Sequence, residues 1–198
     1  NIKNIIDLMI KNKIKNRLHI AHVSSEKELH YAKSGKIKNQ ISVEVTPHHL
    51  FMNENDIQAL GAFAEMRPRL KSENDRKALW NGIKNGLVDV IATDHAPHLK
   101  EEKEKINYPF GVPGLETMLP LLLDAFNKNI IDMRTIIKLC CENPAKIFRI
   151  KNKGFIKEGF DADIVIVDLG KRQAVRSEDL LTKCKWSPFE GKILKGWP

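Results

Sequence analysis

Three short apolar runs, LHIAHV at 18–23, ISVEVTP at 41–47 and VDVIATD at 88–94, constrain this chain more than any other feature. Each is nearly continuously apolar, as parallel strands buried on both faces are, and each ends on polar residues. Between them lie stretches with helical signals. SEKELHYAKSGK has Ser24 or Ser25 as a cap and Gly35 near its end; SENDRKALWNGIKNG begins at the cap Ser72 and stops at Gly86. The order is strand, helix, strand, helix, strand. That order belongs to an α/β chain, and two architectures can use it. An open doubly wound sheet would carry a Gly-rich phosphate turn near its start, and none is present. A partial (β/α)8 barrel of the TIM type fits better, because such barrels build their sites at the carboxyl ends of their strands, where the polar residues fall here.

The flanking segments extend this reading. In residues 1–16, Ile2, Ile5, Ile6, Met9 and Ile10 recur at spacings of three and four, which predicts an amphipathic helix that starts with no cap. HHLFMNENDIQALGAFAEMRPRL reads as loop with one short helix. PGLETMLPLLLDAFNKN and DMRTIIKLCCENPAKIFRI read as two further helices, with MLPLLL as core. The tail changes character: GFIKEGFDADIVIVDLG is a Gly-punctuated β segment, and WSPFEGKILKGWP a loop with a final strand. Two units are expected, residues 1–150 as the carboxyl-terminal part of a barrel and 151–198 as a β segment of an appended sandwich.

Composition narrows the partners. The formal net charge is +8, from 33 Lys and Arg against 25 Asp and Glu, but the lysines are spread along the whole chain. There is no Arg-rich block with interleaved aromatics, which argues against a nucleic-acid surface. Cys140, Cys141 and Cys184 have no metal-knuckle spacing and no evident disulfide framework, which fits a reducing, cytoplasmic setting. No apolar run approaches the roughly 18 residues of a membrane span.

The chemistry gathers at the strand ends: His22 after the first, His48 and His49 after the second, Asp94, His95 and His98 after the third. Singly, each is an ordinary turn residue or hydrogen-bonded histidine. Together, on one barrel mouth, imidazole and carboxylate suit zinc, which takes nitrogen and oxygen donors. A carboxylate such as Asp94 can also accept a proton from water and return it to a leaving nitrogen. Glu44 sits inside an apolar strand, where an unpaired carboxylate is costly; an ion pair inside the barrel accounts for it best. Arg67 and Arg69 offer bidentate contacts to an anionic substrate, set against ordinary solvation in a loop.

Read in order, LHIAHVSSEKE, VEVTPHHLFM, EMRPRLKSENDRKALWNGIKNGLVDVIATDHAPH, FGVPGLETMLPLLLDA, NPAKIFRI, GFDADIVIVDL and WSPFEGKILKG resemble the carboxyl-terminal part of the dihydroorotase family. The likeness is greatest to the branch that includes class I bacterial enzymes and the domain found in multifunctional animal proteins. ATDHAPH and GVPGLETMLP are its most specific pieces. The resemblance implies an amidohydrolase-type (β/α)8 barrel with a small β-sandwich, and zinc-dependent cyclisation of N-carbamoyl-L-aspartate to L-dihydroorotate. By position it implies that His22 and Asp94 are metal ligands, that Asp94 shuttles the proton, and that His98, Pro113 and Gly114 contact substrate. His95 and the charged run LKEEK would be structural or solvated.

Arg67 stands where many bacterial relatives carry a substrate-contacting Asn. Ala21 replaces the Cys that, with a Glu at the position of Glu44, helps some animal enzymes hold an extra zinc. The family's HxH motif, its carboxylated lysine bridging two zincs, its fifth-strand histidine and its carboxylate-gripping arginine are not found in this sequence. The expectation is therefore a fragment inactive by itself, whose partners would be a second copy or other pyrimidine-pathway enzymes. A related cyclic amidase (hydantoinase or allantoinase) and a non-catalytic scaffold are the alternatives.

Overall fold

The computed structural model describes residues 2–35 and 37–198. Asn1 and Lys36, which fall in the first and second helical stretches of the sequence reading, lie outside them. Helix α1 (Ile2–Lys11) leads into a three-stranded parallel sheet of β1 (Leu18–Ile20), β2 (Ile41–Val45) and β3 (Val90–Ile91), in that order, with Leu18 opposite Ile41 and Val45 opposite Ile91. The strands are shorter than the apolar runs. Burial on β2 alternates, with Ile41, Val43 and Val45 buried and Ser42 and Glu44 only half-buried. One face of the sheet is apolar and packed; the other carries polar side chains.

The packed face is covered by helices whose ends are written in the sequence. Ser25 caps α2 (Glu26–Lys33) by accepting the Glu28 N–H, and Ser72 caps α5 (Glu73–Lys84) by accepting that of Asp75. Leu29 and Ala32 of α2 meet Leu79 and Ile83 of α5 over Val43 and Val45 in one apolar cluster. Gly82 makes that approach possible, because a β-carbon there would stand 2.4 Å from a Leu29 methyl. Asp89 ties the strands to α2: it accepts from Lys33 Nζ at 2.6 Å and from the Val43 N–H at 2.8 Å. A buried backbone donor and a lysine thus share one carboxylate.

The segment after β2 differs from the single short helix expected of it. Thr46 caps α3 (Pro47–Phe51) with Pro47 in the first turn, so the proline that closes the strand also opens a helix. Asn53 then caps α4 (Glu54–Leu60) in a reciprocal capping box with Asp56, and a 3-10 turn follows at Gly61–Ala64. In α1, Ile6 and Met9 are buried while Ile5 and Ile10 remain exposed, so the apolar stripe is only partly used.

Beyond β3 come the one-turn helix α6 (Lys100–Lys103), then α7 (Met118–Asn127), in which Leu121, Leu122 and Leu123 are buried as core. Helices α8 (Met133–Ile137) and α9 (Asn143–Ile147) follow, joined by a π turn at Lys138–Glu142. The tail forms an antiparallel pair, β4 (Asp168–Ala174) with β5 (Ile193–Trp197). Strand β5 lies on α7: the Lys195 N–H donates to Asp124, and Asn127 Nδ2 donates to the Lys195 and Leu169 carbonyls. Leu194, Trp186 and Phe189 share a second apolar cluster with Met66, Val112 and Leu121.

One expectation is corrected here. GFIKEGFDADIVIVDLG is not a β segment until Asp168, and Ile164, Val165 and Ile166 are exposed at 57%, 64% and 86%. Strand propensity needs an edge to pair with, and no described strand pairs with residues 161–167.

Candidate active site

At the end of β1 the chain turns at His22, which takes a left-handed φ of +41°. Away from helix ends a non-glycine residue holds this conformation at a cost that its neighbours must offset. Glu44 does so. Its Oε1 accepts the His22 N–H at 3.3 Å, while its Oε2 contacts His19 Nε2 at 3.2 Å, and His19 Nδ1 contacts the Ser42 hydroxyl at 2.8 Å. Glu44 therefore has a side-chain partner in His19, as a carboxylate inside a strand requires, and also grips the backbone of a candidate ligand. His22, His19, Glu28 and Pro68 line an open cleft of about 310 Å³ at this end of the sheet. Ala21 is exposed beside them.

At the end of β2, His48 and His49 are both buried, with ring centroids 4.5 Å apart. His49 Nδ1 meets the Thr46 hydroxyl at 2.8 Å, and its Nε2 donates to the Pro68 carbonyl at 3.1 Å. Among the described residues His48 Nε2 has no hydrogen-bond partner. Burial, helped by the neighbouring His22, pushes His49 down to about 4, although the Pro68 bond opposes it. Burial and the adjacent His49 hold His48 well below the ordinary histidine value. Both rings are neutral at pH 7, and they act as a packed pair under the strand ends.

At the end of β3, Asp94 also takes a left-handed φ, +46°, and its carboxylate is exposed. The next residue fixes the turn: His95 Nδ1 accepts the N–H groups of Gly114 and Leu115 at 3.1 and 3.2 Å. Pro113 and Gly114 are buried, and a β-carbon on Gly114 would come to 3.2 Å from the Thr93 carbonyl, so the backbone passes close under Asp94. His98 is half-buried, with Nε2 donating to the Phe110 carbonyl at 3.1 Å. Trp186 Nε1 donates to the His98 carbonyl at 2.7 Å. Arg67 is exposed, its guanidinium 4.0 Å from the Phe110 ring centre, whereas Arg69 is paired with Glu65.

His98 and Arg67 thus meet at Phe110, Asp94 stands on the same loop, and Gly114 is tied to it through His95. His22 lines the cleft at the end of β1. Among the described residues no group of three or more His, Cys, Asp or Glu side chains is placed to hold a metal. Sequence reasoning missed His19, whose only signal is its place one residue before the strand's end. It also missed Lys103. That lysine lies in a charged run read as solvated, yet it is fully buried, and nothing local in LKEEK marks it.

Known proteins resemble this chain in sequence and in fold. The model of the amidohydrolase family matches residues 6–197. Dihydroorotase from Methanosarcina acetivorans is 41% identical over 195 residues, covering 93% of this chain and 42% of that protein. Dihydroorotase from Pyrococcus furiosus is 46% identical over 178 residues, covering 90% and 41%. Among solved structures, L-hydantoinase (dihydropyrimidinase) from Arthrobacter aurescens superposes with a TM-score of 0.90 at 30% identity, over 97% of this chain and 44% of that one. A D-hydantoinase superposes at 0.91 and 25% identity, over 100% and 45%. The chain spans less than half the length of these relatives. Its three parallel strands with their helices are the carboxyl-terminal portion of a (β/α)8 barrel. No helix among the described residues is long and apolar enough to cross a membrane.

Proposed function

The chain belongs to the amidohydrolase family, and from that premise we propose that it forms the carboxyl-terminal part of a dihydroorotase. The reaction would be reversible closure of N-carbamoyl-L-aspartate to L-dihydroorotate in pyrimidine synthesis. The observation that carries the reading is the 41% and 46% identity to dihydroorotases across nearly the whole chain, set against 30% and 25% to the hydantoinases. In this proposal residues 1–150 are the barrel's share and 151–198 that of the appended sandwich, the setting is cytoplasmic, and the partners are a second copy or pathway enzymes.

His22 and Asp94 offer the nitrogen and oxygen donors that zinc takes, but two donors fall short of the three that a catalytic zinc keeps. The other ligands, including the lysine that would bridge two zincs, are proposed to lie elsewhere in a longer protein. Bound there, zinc supplies Lewis-acid polarisation of the carbonyl and acidifies water. The residues of this chain do the rest. The exposed Asp94 carboxylate can take a proton and deliver it to the ring nitrogen as the amide bond opens. With Nε2–H committed to Phe110, His98 presents Nδ1 as an acceptor for a substrate N–H. Arg67, backed by Phe110, offers charge to a substrate carboxylate. Pro113 and Gly114 bring backbone close to the same place.

The test compares the 198-residue chain with a longer protein that contains it, following ring opening of L-dihydroorotate. The chain alone should be silent, and the longer protein should turn over and lose about 10²–10⁴-fold on Asp94→Asn. Turnover by the chain alone would overturn the proposal that it needs further residues. Opening of hydantoin in place of dihydroorotate would transfer the assignment to the cyclic amidases, and absence of both metal and turnover to a scaffold.

A further inference from the structure

Among the described residues Lys103 is the only buried lysine, with no exposed surface. Its Nζ donates to three backbone carbonyls, those of Pro109 at 2.9 Å, Gly111 at 3.1 Å and Glu65 at 3.2 Å. An ammonium has three protons and no acceptor capacity, so three carbonyls satisfy it completely. The Tyr108 and Trp186 rings flank it at 5.6 and 5.8 Å. The Glu65 carboxylate, itself paired with Arg69, is the acidic group that acts on it. Burial outweighs that carboxylate and lowers Lys103 to about 8, leaving it mostly charged at neutral pH.

The three carbonyls come from two separate loops, and what lies between them gives the arrangement its purpose. Pro109 and Gly111 bracket Phe110. The Phe110 carbonyl receives His98 Nε2–H, and the Phe110 ring lies under Arg67. The Gly111 N–H donates to the same Glu65 carbonyl that Lys103 holds, which joins the two loops by a second bond. Gly111 has a φ of +121°, and a β-carbon there would stand 2.5 Å from that of Ala96, so this turn tolerates no looser packing against the loop of Asp94. A lysine buried only for packing would have no reason to converge on the two residues either side of the one that His98 and Arg67 both meet. A buried charge is also a costly way to fill space.

We propose that Lys103 is a positioning residue: by gathering the carbonyls of Glu65, Pro109 and Gly111 it fixes Phe110, and through Phe110 it sets the ring of His98 and the guanidinium of Arg67 for substrate. This rests on the dihydroorotase reading for the identity of the substrate, but not for the geometry. Two readouts keep them apart. In the longer protein with its metal, Lys103→Met should lower kcat/KM for L-dihydroorotate on the order of 10²-fold, chiefly through KM, with bound zinc unchanged. In the same samples, imidazole nitrogen NMR should show His98 as the Nε2–H tautomer in the parent and a mixture in the variant.

Should the methionine variant not fold, Lys103→Gln keeps an amide donor and carries the same test, with about a tenfold loss expected. A folded variant with kcat/KM within threefold of the parent and an unchanged His98 tautomer overturns the proposal. A loss in kcat with KM unmoved also overturns it. A parent inactive on dihydroorotate, with the tautomer still changing on Lys103→Met, would retire the substrate assignment and leave the positioning role standing.

Discussion

Acid should weaken this fold through the histidine pair under the strand ends. His49 is lowered from 6.5 to about 4, so between those values the unfolded chain binds a proton that the folded chain refuses. Stability rises with pH wherever the unfolded state binds more protons, so it must fall as pH drops from 6.5 to 4. At pH 5 the loss from His49 is about 2 kcal/mol, and at pH 4 about 3 kcal/mol. His48 moves in the same direction. The groups that face His49 are His48, His22, Glu28, Lys71, the Thr46 hydroxyl and the Pro68 carbonyl; Glu28 and the carbonyl favour its charge, and burial outweighs both. The assay is equilibrium urea unfolding from pH 7 to pH 4, read by tryptophan fluorescence. Trp80 is a built-in reporter, because its Nε1 donates to the Leu50 carbonyl of α3, the helix that holds both histidines. Carboxylates also titrate in this range, so the decisive quantity is the difference from His49→Gln, in which their contribution is retained. The parent should lose about 3 kcal/mol more than the variant over this range. Parallel stability curves for the two proteins would refute the argument.

Two further substitutions test how the elements are held. Gly196→Ala places a β-carbon 2.5 Å from Leu123 Cβ at a φ of +104°, so it should cost about 2 kcal/mol or more and lower Tm by several degrees; a change under about 0.5 kcal/mol would refute the seating of β5 on α7. Asp89→Asn leaves Lys33 without its carboxylate and replaces the charged acceptor of the Val43 N–H, and should cost about 2–3 kcal/mol in urea unfolding, with a neutral result showing that the bond is not needed.

The sequence is most legible where the chain's local chemistry decides the outcome. Ser25 and Ser72 cap the helices expected of them, and Gly86, at a φ of +68°, follows the second. Elsewhere a single residue carries two signals. Pro47 reads as the end of a strand, and the pairing of Thr46 with it as a helix start is equally local but easily overlooked. DADIVIV has the composition of a strand and no strand partner among the described residues, so composition misleads there. Lys103 is invisible for the opposite reason: three carbonyls brought from residues 65, 109 and 111 create its environment, and no neighbour in sequence announces it.

The candidate site shows the same limit more sharply. His22 and Asp94 each end a parallel strand and each adopt a left-handed backbone. Other residues with positive φ, such as Lys13 and Asn129, follow helix ends, where that conformation is routine and exposed. After a strand, a side chain larger than glycine pays roughly 1–3 kcal/mol for it unless the surroundings enforce it. At His22 the enforcement is the Glu44 carboxylate on the backbone N–H; at Asp94 it is His95 holding Gly114 and Leu115, with the Ala96 N–H bound to the Val112 carbonyl. A sequence announces a left-handed position by glycine, and here histidine and aspartate stand there instead. The two residues that the resemblance marks for metal are thus the two strand ends where the fold accepts strain, and the residues that sustain it, Glu44 and His95, are ones that a search for ligands alone would pass over.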